Sequence, residues 1–235
     1  MRPLARTAAA ALCTVTALGP TAACDTLFDD ARSAAPYARL TGPEIVNKAL
    51  AATRGAKSVR MTVETTSPEG PVEAFVATDV RGECMVTLSM GAAGTMELVR
   101  TGGTVYTLSD AAMLRAAAAA DIKKLTGRWV KPSTGDRHAE LAERLCDRES
   151  FLGLLAAKSA TARKGRTATV GSYVPTLTVT GTTDGGKWTA NVATEGRPCL
   201  MKLHFPHSGT GHAAGPITVE FSEFDKPFTA KRPKT

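Results

Sequence analysis

Residues 58–76, SVRMTVETTSPEGPVEAFV, contain the pattern that decides the fold. Val59, Met61 and Val63 alternate with Arg60, Thr62 and Glu64, the period of two expected of a strand with one dry and one wet face. Ser67-Pro68-Glu69-Gly70 then reads as a turn, after which Val72, Ala74 and Val76 resume the alternation. Three further strands repeat it at Cys84-Val86-Leu88-Met90, at Met96-Leu98 after Gly91 to Gly94, and at Val105 to Leu108 after Gly102-Gly103. Five strands joined by short turns make an antiparallel meander.

Upstream, Thr41-Gly42-Pro43-Glu44 is a capping-box pattern, and Ile45, Val46, Ala49 and Leu50 behind it lie on one face of a helix ending near Gly55. Downstream, Ser109-Asp110 caps AAMLRAAAAADIKKL, which propensity predicts as one helix closed by Gly127 and available to cover the sheet with Ala116 to Ala120. Arg128 to Pro132 is extended, and 138–145 and 149–158 read as short helices, the second capped by Asp147. From about Thr161 strands return: Leu177-Val179, a hairpin at Asp184-Gly185-Gly186, Trp188-Ala190-Val192, Cys199-Met201-Leu203-Phe205 and Ile217-Val219-Phe221. Their partners Lys187, Lys202, His204, Thr218 and Glu220 are polar and face water. The expectation is an α+β domain with a curved antiparallel sheet of about ten strands, one face wet and the other covered by a few helices.

The first 24 residues set the compartment. Arg2 and Arg6 precede a short apolar run from Thr7 to Leu18, a Gly19-Pro20 break and the small residues Thr21-Ala22-Ala23. This is the form of an export signal, too short to span a bilayer. Cys24 follows directly, as in a lipobox, although Thr21 stands where an aliphatic residue is expected. Two readings stay open: acylation of Cys24 and anchorage at the outer face of the cytoplasmic membrane, or ordinary cleavage and secretion. The segmentation is therefore 1–23 signal peptide, 24–40 lipidated N-terminus and tether, and 41–235 the domain. The formal charge of +7 falls to +5 when Arg2 and Arg6 leave. The cations are scattered, which suits a solvated surface near an anionic envelope and gives no reason to expect nucleic acid.

Three cysteines remain in the domain, Cys84, Cys146 and Cys199. Export permits disulfides, and a bridge from the Cys84 strand to the helix ending at Cys146 is the expected pair. Cys199 reads as a small buried hydrophobe. The inward positions form the candidate lining of an interior. They are Met61, Val63 and Val76 in the first hairpin, Leu88, Met90, Met96 and Leu98 in the next, and Leu177 and Val179 after the helices. Met201, Leu203, Phe205, Val219 and Phe221 complete the set. Small and medium side chains opposite an alanine-rich helix leave either close packing or a cavity, and the methionines suit an irregular apolar ligand.

Several segments together carry a resemblance: Gly-Gly-Thr-Val-Tyr at 102–106, Arg-Trp-Val at 128–130, Gly-Arg-Pro at 196–198 and the closing ITVEFSEFDKP at 217–227. In this order, behind the capped helix and meander, they resemble the actinobacterial cell-envelope lipoproteins of the LppX and LprG type, over nearly all of the exported chain. The resemblance implies a LolA-like half-barrel closed by helices around an apolar cavity, and a role in carrying an acylated lipid or glycolipid between envelope layers. It carries no ligand-contact motif across to particular residues.

Catalytic and metal motifs are weak. His204, His207 and His212 lie in HFPHSGTGH without an acid or cysteine beside them, Gly209-x-Gly211 lacks the setting of a dinucleotide loop, and no GxSxG occurs. No enzyme, metal or cofactor is expected. Two functions stand: a membrane-anchored lipid carrier that needs no catalysis, and an envelope sensor or interaction lipoprotein with a filled core that acts on a protein through its surface.

Overall fold

The computed structural model describes residues 37–67, 70–171, 173–206 and 215–235. Residues 36–235 form one compact unit. Cys24, the turn residues Pro68 and Glu69, and His207 and His212 lie outside the described residues.

The chain runs α1 (Gly42–Arg54), β1 (Ser58–Ser67), β2 (Gly70–Asp79), β3 (Cys84–Ser89), β4 (Thr95–Thr101) and β5 (Thr104–Ser109). Four short helices follow: α2 (Ala111–Ala116), α3 (Ile122–Leu125), α4 (Arg137–Leu145) and α5 (Arg148–Ala156). The remaining strands are β6 (Arg163–Val170), β7 (Val174–Thr183), β8 (Gly186–Ala193), β9 (Leu200–Phe205) and β10 (Ile217–Ser222). All ten strands make one curved antiparallel sheet, not closed into a barrel, in the order β5-β4-β3-β2-β1-β10-β9-β8-β7-β6. Two meanders of five strands therefore meet where β10 pairs with β1, with Val63 opposite Val219 and Met61 opposite Phe221. The fold is the α+β sheet that the alternation predicts.

Local chemistry explains the helix ends. Thr41 Oγ1 accepts from the Glu44 backbone N–H, while Glu44 Oε2 accepts from the Thr41 N–H at 2.7 Å, the reciprocal capping box. Glycine is required at position 42, because a Cβ there would stand 2.2 Å from the carbonyl oxygen of Ala162. Asp110, Asp136 and Asp147 cap α2, α4 and α5. The alanine run departs from the prediction of one long helix. α2 ends at Ala116, Ala118 takes φ 53°, and α3 begins only at Ile122. Alanine propensity alone does not hold such a segment. Met113 is its buried residue, and helices draw most of their stability from a buried face.

The sheet is instead covered by other helices. α1 packs against β6 to β9 and against α5, and α4 packs against β3 and β4. Cys84 in β3 is bonded to Cys146 at the end of α4. Cys199 is free and buried, and burial pushes its thiol up, opposed by the nearby Arg197 cation.

The segments behind the family resemblance are joints. Arg197 of the Gly-Arg-Pro segment ion-pairs with Asp225 and donates to the Ala52 carbonyl in α1. Asp225 also accepts from the Lys57 N–H at 2.6 Å, and its own N–H donates to Ser58. Val130 of Arg-Trp-Val bridges Thr107, so it covers the β5 edge. After the Glu223–Asp225 turn the chain crosses the outer face. Ser58 Oγ holds the Lys226 carbonyl, and the Arg232 guanidinium lies 5.8 Å from the centre of the Tyr106 ring on β5. Four strand spacings of about 4.8 Å separate β1 from β5, roughly the span of six extended residues. This segment explains why Tyr106 and Val99, which pair on the outer face, are nonetheless buried.

Candidate functional site

The candidate site is the concave side of the sheet. Register places Met61, Val63, Val76, Val86, Leu88, Met96 and Leu98 of the first meander on that side, with Val219 and Phe221 of β10. Leu177, Val179, Ala190, Leu203 and Phe205 continue it through the second meander. All are buried, and with Met90 they belong to one contiguous apolar cluster that includes Ile45, Val46, Ala49 and Leu50 of α1 and Phe151, Leu152 and Leu155 of α5.

Met201 is the exception. A register shift between Asn191 and Val192 places Leu200 opposite Val192, so Met201 is only half-buried and Leu200 takes its place in the interior. The bulge inserts one residue and reverses the alternation behind it. The run Cys199-Met201-Leu203-Phe205 reads as an unbroken alternation, and nothing in it marks the shift.

The two halves of the interior are built differently. In the second meander the large side chains are concentrated: Trp188 of β8 is fully buried and its ring centre lies 6.2 Å from that of Phe205. Trp188 lies over Gly181 of β7, where an added Cβ would stand 2.4 Å from the indole ring. Its Nε1–H is a buried donor with no partner among the described residues. Trp188 belongs to the alternation with Ala190 and Val192, but only the structure shows its unpaired N–H. In the first meander the interior side chains are valine, alanine, leucine and methionine. Of the α-helices, α1 lies against β6 to β9 and α4 against β3 and β4, while a short 3-10 turn at Gly91–Ala93 lies against β2. Those central strands present Met61, Val63, Val72, Ala74, Val76, Val219 and Phe221, each at most 6% exposed.

Polar chemistry lies elsewhere. A groove of about 510 Å³ at one end of the sheet is lined by Thr78, Asp79, Arg100, Cys146, Asp147 and Arg148, among others. Its charges are engaged. Arg148 donates to the carbonyls of Ala56 and Arg54, and Arg100 to that of Gly82. Asp79 caps the β2-β3 turn. Burial pushes its carboxyl up, but hydrogen bonds from Arg81 and Glu83 outweigh this and hold it below its ordinary value of 3.8. His204 stands on the outer face with Nδ1 3.1 Å from Thr218 Oγ1. Among the described residues no three acids, cysteines or histidines converge as metal ligands, and no helix is long and apolar enough to cross a membrane.

No family model and no curated protein matches this chain. The site therefore rests on its own geometry. That geometry is an enclosed apolar face with one unpaired indole donor.

Proposed function

We propose that this protein is a membrane-anchored extracytoplasmic lipoprotein that holds an acylated lipid or glycolipid in the concave interior and carries it within the cell envelope. The carrying observation is the apolar concave face at the centre of the sheet, where β1, β2 and β10 present Met61, Val63, Val76, Val219 and Phe221. An acyl chain gains about 0.8 kcal/mol per buried methylene, so the driving force is burial and no catalytic group is needed. The unpaired Trp188 Nε1–H suits an ester carbonyl or sugar hydroxyl at the head of such a chain. The LppX and LprG resemblance supports the same reading, with Cys24 as the acylated residue.

A second reading has its own support. The contiguity of the apolar cluster and the Trp188–Phe205 contact suit a filled core, with the protein acting on a protein partner through its surface. Native mass spectrometry of the exported chain with Cys24→Ser, expressed in a related host, separates the two. A stoichiometric acylated adduct, lost in a folded Met96→Trp variant, is the expected result. A clean unliganded mass under gentle conditions, with no uptake of a long-chain fluorescent lipid, overturns the carrier reading.

A further inference from the structure

The free edge of the sheet at β6 carries an unusual distribution of charge. From Ser150 to Thr183 the chain contains Lys158, Arg163, Lys164 and Arg166 and no acid. Arg39 joins them. The Arg163 backbone lies against Gly42, three residues after Arg39, and Lys164 Nζ donates to the carbonyls of Tyr37 and Ala38 at 3.1 and 2.9 Å. All five cations are exposed, and none forms an ion pair with a described residue. Glu44 is an acid close enough to interact with Lys164. It is already bonded to Thr41, whose backbone N–H holds its carboxyl low, and Lys164 adds to the effect.

Two further observations give this edge a direction. Tyr37, on the side of the chain toward Cys24, is tied to β6 by Lys164 and to β8 by its hydroxyl, a donor to the Ala193 carbonyl. Twelve residues lie between Cys24 and Tyr37, and the thirteen Cα steps they make span at most about 45 Å. At the far end of β6, beside the β6-β7 turn, Tyr173 is 89% exposed, with Val174 next to it. A tyrosine so placed suits the headgroup level of a bilayer.

We infer that the β6 edge is a membrane-docking surface. Arg39, Lys158, Arg163 and Arg166 engage anionic phospholipid headgroups, and Tyr173 enters the interface at the other end of the strand. An acyl anchor at Cys24 keeps this edge within reach of the bilayer, so the inference rests on that part of the proposed function, while the docking chemistry belongs to the folded domain. A cation near an anionic leaflet is held by roughly a five-fold gain in binding, and the effect is screened by salt.

The test uses the chain from residue 24 onward with Cys24→Ser, which contains the whole compact unit. Sedimentation is measured with vesicles of phosphatidylcholine alone and mixed with phosphatidylglycerol. Binding to the mixed vesicles, weakened by salt and at least about tenfold weaker in a variant with Arg39, Lys158, Arg163 and Arg166 changed to Gln, is expected. Tyr173→Ala weakens it about threefold. A second variant with Arg115, Lys123, Lys124 and Lys131 changed to Gln loses the same charge elsewhere and is expected to bind as the parent does. Equal losses in the two four-fold variants, or no preference for the anionic vesicles, overturn the inference. Circular dichroism of both variants verifies folding. Because no acyl anchor and no cargo enter the measurement, failure here is distinct from an unmodified Cys24 or an empty interior.

Discussion

Changing both Cys84 and Cys146 to Ala is expected to destabilise the domain by about 2–4 kcal/mol. The bridge closes a loop of 62 residues, for which the loss of chain entropy in the unfolded state works out at about 4.3 kcal/mol at 25 °C. This is the upper end, since residual structure in the unfolded chain reduces it. Both cysteines are buried, so the substitution also trims packing between α4 and β3. Urea unfolding followed by tryptophan fluorescence measures the effect, with the buried Trp188 as reporter. At a slope of about 2 kcal/mol per molar, the midpoint falls by roughly 1–2 M. The same shift is expected when the parent is reduced, in a Cys24→Ser background. Hydrogen exchange should rise first in α4 and α5, which the bridge pins to the sheet. A loss below about 1 kcal/mol would refute the assignment of the bridge as the principal tie of α4.

Gly181→Ala places a methyl group in the Trp188 ring and is expected to cost about 1–3 kcal/mol in the same assay. Adding Trp188→Leu should recover part of that cost, and simple additivity of the two changes would show that the ring is not the obstacle. Acid stability follows from Asp79 and Asp110. Burial raises the Asp110 carboxyl, but hydrogen bonds from Met113, Thr95 and Ala112 outweigh it, so its folded value, like that of Asp79, lies below the ordinary 3.8. Their stabilisation is therefore complete at neutral pH and is lost as the pH falls through 3.8 toward the lower folded values. Asp110→Asn should flatten the fall in stability measured by urea titration at successive pH values below about 5, and an unchanged slope would contradict the assignment.

The sheet was legible because its period of two survives in nearly every strand, and one buried face enforces it. The caps at Thr41, Asp110 and Asp147 were legible for a similar reason, since each side chain satisfies a nearby N–H. Where tertiary context decides, sequence reading failed. The alanine run reads as a helix by propensity, yet it has little apolar face to bury. The bulge before Leu200 depends on how β8 and β9 pair, and the composition of Cys199–Phe205 leaves no trace of it. The β6 edge was hidden for a third reason. Its cations are spread from Arg39 to Arg166, and only the fold brings residue 39 beside residue 163.

The joints also constrain how an interior of this kind opens. At the end of the sheet marked by Ser58, Cys84 and Leu200, the last turn of α1 is held by Arg197 and Asp225, and Thr53 Oγ1 accepts from the Leu200 N–H at 2.9 Å. Arg148 ties the start of α5 to the same turn, and the disulfide fixes the end of α4 beside it. Separating helices from sheet at this end breaks a covalent bond and several charge-assisted hydrogen bonds together. At the opposite end the ties among the described residues include the close approach of Gly42 to Ala162, the hold of Asp110 on Thr95, the Thr161 hydroxyl on the Thr182 carbonyl and the Gly127 N–H on the Ser109 carbonyl, and none of these is covalent or an ion pair. On the proposed carrier reading, cargo would exchange at that second end, where no disulfide joins helix to sheet among the described residues and where α1 begins and β6 starts with Arg163 and Lys164. Docking of the β6 edge would bring this end toward the bilayer that supplies or receives the acyl chain.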